Sequence, residues 1–122
     1  MKLKKLNRNL SILKMASVDD VDFSKDFYFL GKTSRDITLV CNTSEAPANY
    51  LEKDDGWKAF VIDEVMGLTE VGIMSEISGV LAKNSIGLFA ASSYSSDYIL
   101  VKAQNFEKAM FALAQDGYTV ID

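Results

Sequence analysis

The sequence predicts an α+β fold built from two related units, and three observations carry this prediction. Strand and helix patterns alternate through the second half of the chain in the order β-α-β-β-α-β. The two halves of the 122-residue chain also align with each other when one is shifted by 61 positions. The composition, 48% hydrophobic and 25% charged, is ordinary for a globular domain.

The first half reads mainly as strands. Alternating apolar residues or aromatic content predict three of them, at residues 9–15, 27–32 and 36–41. The basic lead at residues 2–6 is assigned a helical turn. Residues 45–51 are assigned a short helix with Pro47 in its first turn, ended by Asp54-Asp55-Gly56.

The second half contains the clearest helix, over residues 71–84. Its apolar residues recur at helical spacing, and the stripe is formed chiefly by Val71, Met74, Ile77 and Leu81. A second amphipathic helix is predicted at residues 106–115. Strands are predicted around these helices, at residues 57–64, 88–94, 97–103 and 118–121.

The internal repeat divides the chain. At the 61-residue shift, "FYFLGKTSRDITLV" falls on "LFAASSYSSDYILV", so that Ser34 meets Ser95 and Asp36 meets Asp97. Too few residues separate Met15 from Phe27 for a helix like that at 71–84. We therefore expect residues 1–56 to form a degenerate unit lacking its first helix and residues 57–122 to form a complete one. Strand 57–64 could belong to either unit or be shared.

The composition excludes several classes of function. The chain has no histidine, so it cannot hold a Ser-His-Asp or Cys-His catalytic set or a histidine-ligated zinc ion. We expect neither an enzyme nor a cofactor or metal. One cysteine, Cys41, closes an apolar strand, which predicts a buried thiol and a reducing, cytoplasmic location. A net charge of −4 and the lack of a long apolar run give no reason to expect nucleic acid or membrane as partners.

Four serines surround Tyr94 between two predicted strands, in the order Ser92, Ser93, Ser95 and Ser96. They could mark a nucleophile, a binding edge or a hairpin turn. No histidine exists to act as a base and no lysine lies nearby in sequence, so the nucleophile is disfavoured. We predict a hairpin whose Ser92 and Ser93 are the candidates to face a ligand.

The second half resembles the ACT domain, and the resemblance rests on "EVGIMSEISGVLAKNSIGLFAASSYSSDYILVKAQNFEKAMFALAQDGYTV" with "TSRDITLVCN" and "DGWKAFVI" before it. The family hairpin usually reads Ser-Thr-Tyr-x-Thr-Asp-Tyr-Ile-Leu-Val, and here serines replace both threonines. The whole chain is similar to small paired ACT proteins related to aspartate kinase regulatory domains and to eukaryotic arginine sensors.

This resemblance implies a ferredoxin-like βαββαβ fold, with two ACT-type units whose antiparallel sheets are covered by helices on one face. It also implies a non-catalytic regulatory protein that binds an amino acid between two parts of a paired ACT unit: a loop with the helix start that follows it, and the facing second strand. Exposed edges on such sheets invite self-pairing, so we also expect a homodimer. The implied ligand-binding residues are Leu68, Thr69, Glu70, Val71, Gly72, Ile73, Ser92, Ser93 and Asp97.

Physical chemistry supports these roles and also supplies alternatives. Free N–H groups at a helix start suit a carboxylate, Gly72 permits close approach, and Glu70 or Asp97 could pair with an ammonium group. Gly72 could instead serve helix packing, Glu70 the helix dipole and Asp97 the turn. The alternative function is a dimerisation or protein-interaction module that binds no ligand.

Overall fold

We describe residues 1–63 and 72–122 of the protein from a computed structural model. The chain divides into two compact units. The C-terminal unit consists of Met1–Asn7 together with Lys58–Asp122, and the inserted unit consists of Arg8–Trp57. The strands and α-helices, in chain order, are β1 (Lys2–Lys5), β2 (Leu10–Met15), β3 (Tyr28–Lys32), β4 (Ile37–Asn42), β5 (Glu52–Ile62), α1 (Ile73–Lys83), β6 (Phe89–Ser92), β7 (Asp97–Lys102), α2 (Ala103–Gln115) and β8 (Thr119–Ile121).

The sheet of the C-terminal unit has the order β6-β7-β5-β1-β8. A βαββαβ unit is formed by β5, α1, β6, β7, α2 and β8 in chain order. In the sheet, β1 lies between the first and last strands of this unit. Leu3 of β1 pairs antiparallel with Ile62 and parallel with Val120. β6 also pairs antiparallel with β7, so β1 with β8 is the parallel pair among the pairings described here.

The helical turn assigned to residues 2–6 is wrong, because this segment forms strand β1. Lys2 and Lys4 are exposed whereas Leu3 between them is completely buried, which is the two-residue period of a strand. The sequence predicts that residues 1–7 belong to the first unit. In the structure they belong to the C-terminal unit and complete its sheet.

Both helices of the C-terminal unit pack on one face of its sheet. Ile77 and Leu81 of α1 and Leu113 of α2 are completely buried. They form one core with residues of the sheet, among them Leu3, Phe60, Ile62, Ile99 and Val101. The apolar stripe predicted for α1 is confirmed at its described positions, and α2 begins three residues before the predicted start.

The inserted unit consists of strands in the order β3-β4-β2-β5, and residues 8–57 contain no α-helix. Its core is formed by Leu13, Met15, Val21, Leu39 and Cys41. Cys41 is buried in β4, as predicted. Between β2 and β3 the chain makes only a short 3-10 turn, Val18–Asp20.

The helix predicted at residues 45–51 is wrong. A 3-10 turn at Thr43–Glu45 is followed by Ala46 in an extended conformation, with φ −64° and ψ 134°. Ala46 precedes Pro47, and the proline ring disfavours helical geometry for the residue before it.

The predicted helix stop Asp54-Asp55-Gly56 is part of strand β5. Leu10 pairs with Trp57 and Ile12 with Asp54, so β5 has one more residue than β2 in this interval. Gly56 takes a left-handed φ of 82° at this bulge, a conformation that glycine adopts without strain. Residues 52–57 of β5 belong to the inserted unit and residues 58–62 to the C-terminal unit.

Candidate functional site

The candidate site lies at the end of the C-terminal unit's sheet where β5 finishes at Ile62. The chain then continues to α1, which begins at Ile73. Four predicted contact residues of the intervening loop, Leu68, Thr69, Glu70 and Val71, lie outside the described residues. Gly72 and Ile73 are described and begin the helix.

Gly72 is the N-cap of α1 and has φ 91° and ψ −26°. Its carbonyl oxygen accepts the first hydrogen bond of the helix from the backbone N–H of Glu76, at 2.9 Å. Among the described residues, its chain neighbours apart, no atom lies within 4 Å of the position that a Cβ would occupy. The left-handed backbone favours glycine at this position, because other residues adopt such a φ only with strain.

The start of α1 is a suitable place for a carboxylate. Gly72 has no side chain to accept hydrogen bonds from the first turn, and Gly72 itself is exposed. The free N–H groups and the positive end of the helix dipole favour an anion there. Ile73 has a different role, because its half-buried side chain packs against the core.

The serine cluster forms the predicted hairpin. The N–H of Ser93 donates to the carbonyl of Ser96 at 2.9 Å, which leaves Tyr94 and Ser95 as a two-residue loop. Ser92 pairs with Asp97 across the hairpin, and the Ser92 hydroxyl donates to Asp97 Oδ1 at 2.5 Å. Two of the predicted site residues, Ser92 and Asp97, are thus in direct contact.

Asp36 and Asp97 align in the sequence repeat but take different structural positions. In the first hairpin the N–H of Thr33 donates to the carbonyl of Asp36 at 3.0 Å, so Asp36 closes the turn. Asp97 lies one position outside the equivalent turn and uses its carboxylate to accept from Ser92. The recurrence of aspartate therefore does not indicate one shared turn role.

A cleft of about 510 Å³ lies beside this hairpin. Ser95, Ser96 and Tyr98 line it from the hairpin side, and Lys4 and Asp63 line it from β1 and the end of β5. Lys4 and Asp63 carry opposite charges, which suits a ligand that has both a carboxylate and an ammonium group. Lys4 and Tyr98 were not among the predicted site residues, and Ser95 and Ser96 were predicted only as part of the hairpin turn. No local pattern identifies Lys4, because it reaches the cleft through the pairing of β1 with β5.

A second groove, of about 390 Å³, runs beside α1 and the residues after α2. Tyr118 donates its hydroxyl to Glu76 Oε2 at 3.1 Å. Burial of the phenol and the adjacent Glu76 carboxylate raise the pKa of Tyr118 to about 12. The predicted binding residues that the structure describes, Gly72, Ile73, Ser92, Ser93 and Asp97, do not line this groove.

The described residues contain no cluster of acidic, cysteine or histidine side chains able to hold a metal ion. Within the same ranges no helix is both long and apolar enough to cross a bilayer.

Comparison with known proteins gives the family. A model of the ACT domain matches residues 52–115, from the start of β5 to the end of α2. The chain belongs to the ACT domain family. The resemblance noted in the sequence is confirmed, and the match covers the β5-α1-β6-β7-α2 part of the ACT unit. No curated protein matches the sequence closely enough to count as a relative.

Solved structures agree with this membership. A protein from Agobacterium tumefaciens shares 26% identity and a TM-score of 0.85, with 98% of this chain and 91% of that one covered. A Vibrio cholerae protein described as of unknown function and possibly in transport shares 18% identity and a TM-score of 0.75, over 91% of this chain and 85% of that one. An allosteric aspartate kinase from Clostridium acetobutylicum shares 14% identity and a TM-score of 0.61, over 90% of this ACT protein but 32% of the kinase. The last two comparisons establish a shared fold.

Proposed function

We propose that this ACT domain protein is a non-catalytic regulatory protein that binds a free amino acid at the end of the C-terminal unit's sheet. The observation that carries the proposal is the exposed, left-handed Gly72 at the start of α1. It leaves the N–H groups of the first helical turn without a side-chain cap. The serine hairpin flanks the end of β5, from which the chain enters this helix.

The proposed binding mode divides the ligand between two sets of groups. The ligand carboxylate binds the N–H groups at the start of α1. Its ammonium group binds a carboxylate of the same end of the unit, with Asp63 and Asp97 as candidates. Hydroxyl groups of the hairpin orient the ligand, as Ser93 and Ser95 are both exposed. Leu68, Thr69, Glu70 and Val71, which lie outside the described residues, are the remaining proposed ligand contacts.

Regulation would follow from a change in assembly. We propose a homodimer in the cytoplasm, in which ligand binding favours one of two pairing states because the ligand binds that state more tightly. β6 supports this idea, because it pairs with β7 and lies at the edge of its sheet. Edge strands offer backbone groups to a second chain.

A thermal-shift screen against the twenty amino acids tests the function. A ligand at one hundred times its dissociation constant stabilises the folded state by about 2.7 kcal/mol. We expect one or a few amino acids to raise the melting temperature, with binding lost in Gly72→Ala. Gly117→Ala is the matched control, because Gly117 has a φ of 99° and equally open space around its Cβ position.

The Gly117→Ala control distinguishes backbone strain from loss of ligand binding. Both substitutions place a Cβ on a left-handed backbone and should destabilise the protein similarly, but only Gly72→Ala should abolish the ligand-induced shift. If no amino acid shifts the melting temperature of the wild-type protein, the amino acid proposal is wrong. Light scattering on the purified chain would then test the ligand-free dimerisation module.

A further inference from the structure

The inserted unit contains a cavity of its own, of about 240 Å³. Because this unit has no α-helix between residues 8 and 57, the sheet face that carries Leu39 and Cys41 is covered by irregular segments, residues 18–27 and 43–49. Leu39 and Cys41 are 3% and 4% exposed and line the cavity with Val21 and Tyr28. The cavity therefore has an apolar interior.

The segments that enclose the cavity are held in place by specific hydrogen bonds. Asn49 Nδ2 donates to Asp20 Oδ2 at 3.2 Å and ties one covering segment to the other. The Ser17 hydroxyl caps the 3-10 turn by accepting from the N–H of Asp19 at 3.0 Å. The N–H of Val21 closes the turn on the carbonyl of Val18 at 3.1 Å. These contacts favour a formed cavity over a collapsed one.

The polar lining of the cavity is acidic. Three carboxylates, on Asp20, Asp22 and Glu45, line it together with one ammonium group, that of Lys25. Lys25 Nζ lies 3.9 Å from Asp22 Oδ2. Ionised carboxylates thus outnumber cations by two among the lining residues, so a positively charged ligand is favoured over an anion.

Two of these carboxylates are already oriented. Asn42 Nδ2 donates to Glu45 Oε1 at 2.9 Å, which leaves the other carboxylate oxygen for a further donor. Ser24 donates its hydroxyl and its backbone N–H to Asp22 Oδ1, at 2.6 Å and 3.0 Å. These hydrogen bonds, with a smaller contribution from Lys25, lower the pKa of Asp22 and keep it ionised.

A neighbouring contact shows that this surface accommodates an organic cation. The Arg8 guanidinium lies 4.2 Å from the centre of the Phe27 ring and donates to Asn42 Oδ1 at 3.3 Å. Phe27 also lines the cavity. An aromatic ring and an amide oxygen at this surface therefore already hold one cationic side chain.

We propose that the cavity of the inserted unit binds a small organic cation, an alkylammonium or alkylguanidinium group on a short apolar chain. The chain lies against Leu39, Cys41 and Tyr28, and the cationic group bonds to Asp22 and Glu45. The volume is below the roughly 300–1,000 Å³ of sites for drug-sized ligands, which limits the ligand to a short chain. This site lies in the other unit from the proposed amino acid site and does not depend on it.

Titration calorimetry of the full chain with n-butylammonium chloride tests the proposal. Butyrate, which has the same chain length and the opposite charge, is the matched control ligand. We expect saturable binding of butylammonium and at least tenfold weaker binding of butyrate. Equal binding of the two ions, or no saturable binding of butylammonium to the folded chain, would overturn the proposal.

Variants locate the site. Glu45→Gln keeps an oxygen acceptor for Asn42 but removes the charge, and we expect it to weaken butylammonium binding about tenfold, the effect of losing one charge-assisted hydrogen bond. Lys25→Gln removes the competing cation and should strengthen binding. Asp36→Asn removes an equal charge at the exposed β3–β4 turn of the same unit and should leave affinity within about twofold. Unchanged affinity in Glu45→Gln, or an equal loss in Asp36→Asn, would contradict the location.

Alkylation of Cys41 supplies a second measurement that does not depend on charge. A ligand in the cavity covers the thiol, so saturating butylammonium should slow the reaction of Cys41 with iodoacetamide at least fivefold. Butyrate at the same concentration should not change the rate. Binding without protection of Cys41 would place the cation elsewhere and overturn the proposal.

Discussion

A buried serine offers the sharpest test of the inserted unit. Ser11 of β2 is completely buried, and its hydroxyl lies 2.5 Å from Asp55 Oδ1 and 2.8 Å from Thr43 Oγ1. A carboxylate can only accept, so Ser11 donates to Asp55 and Thr43 donates to Ser11. One hydroxyl thus links β2 to the bulge of β5 and to the 3-10 turn after β4.

The substitution Ser11→Ala removes both hydrogen bonds without adding volume. A bond to a charged group contributes about 1.5–3 kcal/mol and a neutral one about 1 kcal/mol, but Asp55 is 54% exposed and regains water. We therefore expect a loss of about 2–3 kcal/mol in the free energy of unfolding. With an unfolding entropy of about 2.1 cal/mol/K per residue, this lowers the melting temperature by about 8–12 °C.

Urea denaturation followed by circular dichroism measures this loss. Ser44→Ala, which removes an exposed serine hydroxyl from the same unit, is the control and should change stability by less than about 0.5 kcal/mol. A double-mutant cycle with Asp55→Ala should give a coupling energy of about 1 kcal/mol or more. A Ser11→Ala protein as stable as the wild type, or strictly additive effects in the cycle, would refute the reasoning.

Four further predictions concern other parts of the chain. Leu3→Ala should lower the free energy of unfolding by about 3 kcal/mol, measured by urea denaturation, because Leu3 is completely buried between β5 and β8. Gly79→Ala should raise it by about 0.5–1 kcal/mol in the same assay, since Gly79 lies within α1 and no described atom outside the local backbone lies within 4 Å of its Cβ position. Burial raises the pKa of the Cys41 thiol to about 11 from 9.0, so at pH 8 the thiolate fraction of Cys41 should be about one hundredth of that of an unperturbed cysteine. Alkylation of Cys41 should therefore accelerate at least a hundredfold in urea. Tyr118 should titrate near pH 12, measured by absorbance at 295 nm. Its contribution to the free energy of unfolding is complete below pH 10 and should be lost between pH 10 and 12. The Tyr118→Phe protein should not show this loss.

Each of these has a clear contrary result. A Leu3→Ala protein of unchanged stability would place β1 outside the core, and a destabilised Gly79→Ala protein would mean that the groove beside α1 is tighter than described. Rapid alkylation of the folded protein would contradict burial of Cys41. A Tyr118 titration midpoint at pH 10 would contradict the contact with Glu76.

Local patterns in the sequence were enough to predict the elements that form from neighbouring residues. The stripe containing Ile77 and Leu81 specifies the buried side of α1, and the two strands around Tyr94 form the expected hairpin. In each case the period of apolar residues is visible within one element. The family follows from the same segment.

Features that depend on distant residues were not predictable in this way. β1 is short and rich in lysine, and its strand character comes from pairing with β5 and β8 far along the chain. The bulge at Gly56 similarly depends on the register with β2. Lys4 joins the cleft beside the hairpin only because that pairing brings it next to Val61, its partner in β5.

The position of β1 also has a consequence for biosynthesis. As the ribosome releases the chain from its first residue onward, β1 emerges first but cannot complete its pairings until β8, more than a hundred residues later, has followed it. The inserted unit, by contrast, is whole once residue 57 is released. We expect the inserted unit to acquire structure before the C-terminal unit closes, since closing so long a loop is slow. Until β8 has been released, the edge of β1 that pairs with β8 is open to a chaperone or a neighbouring nascent chain.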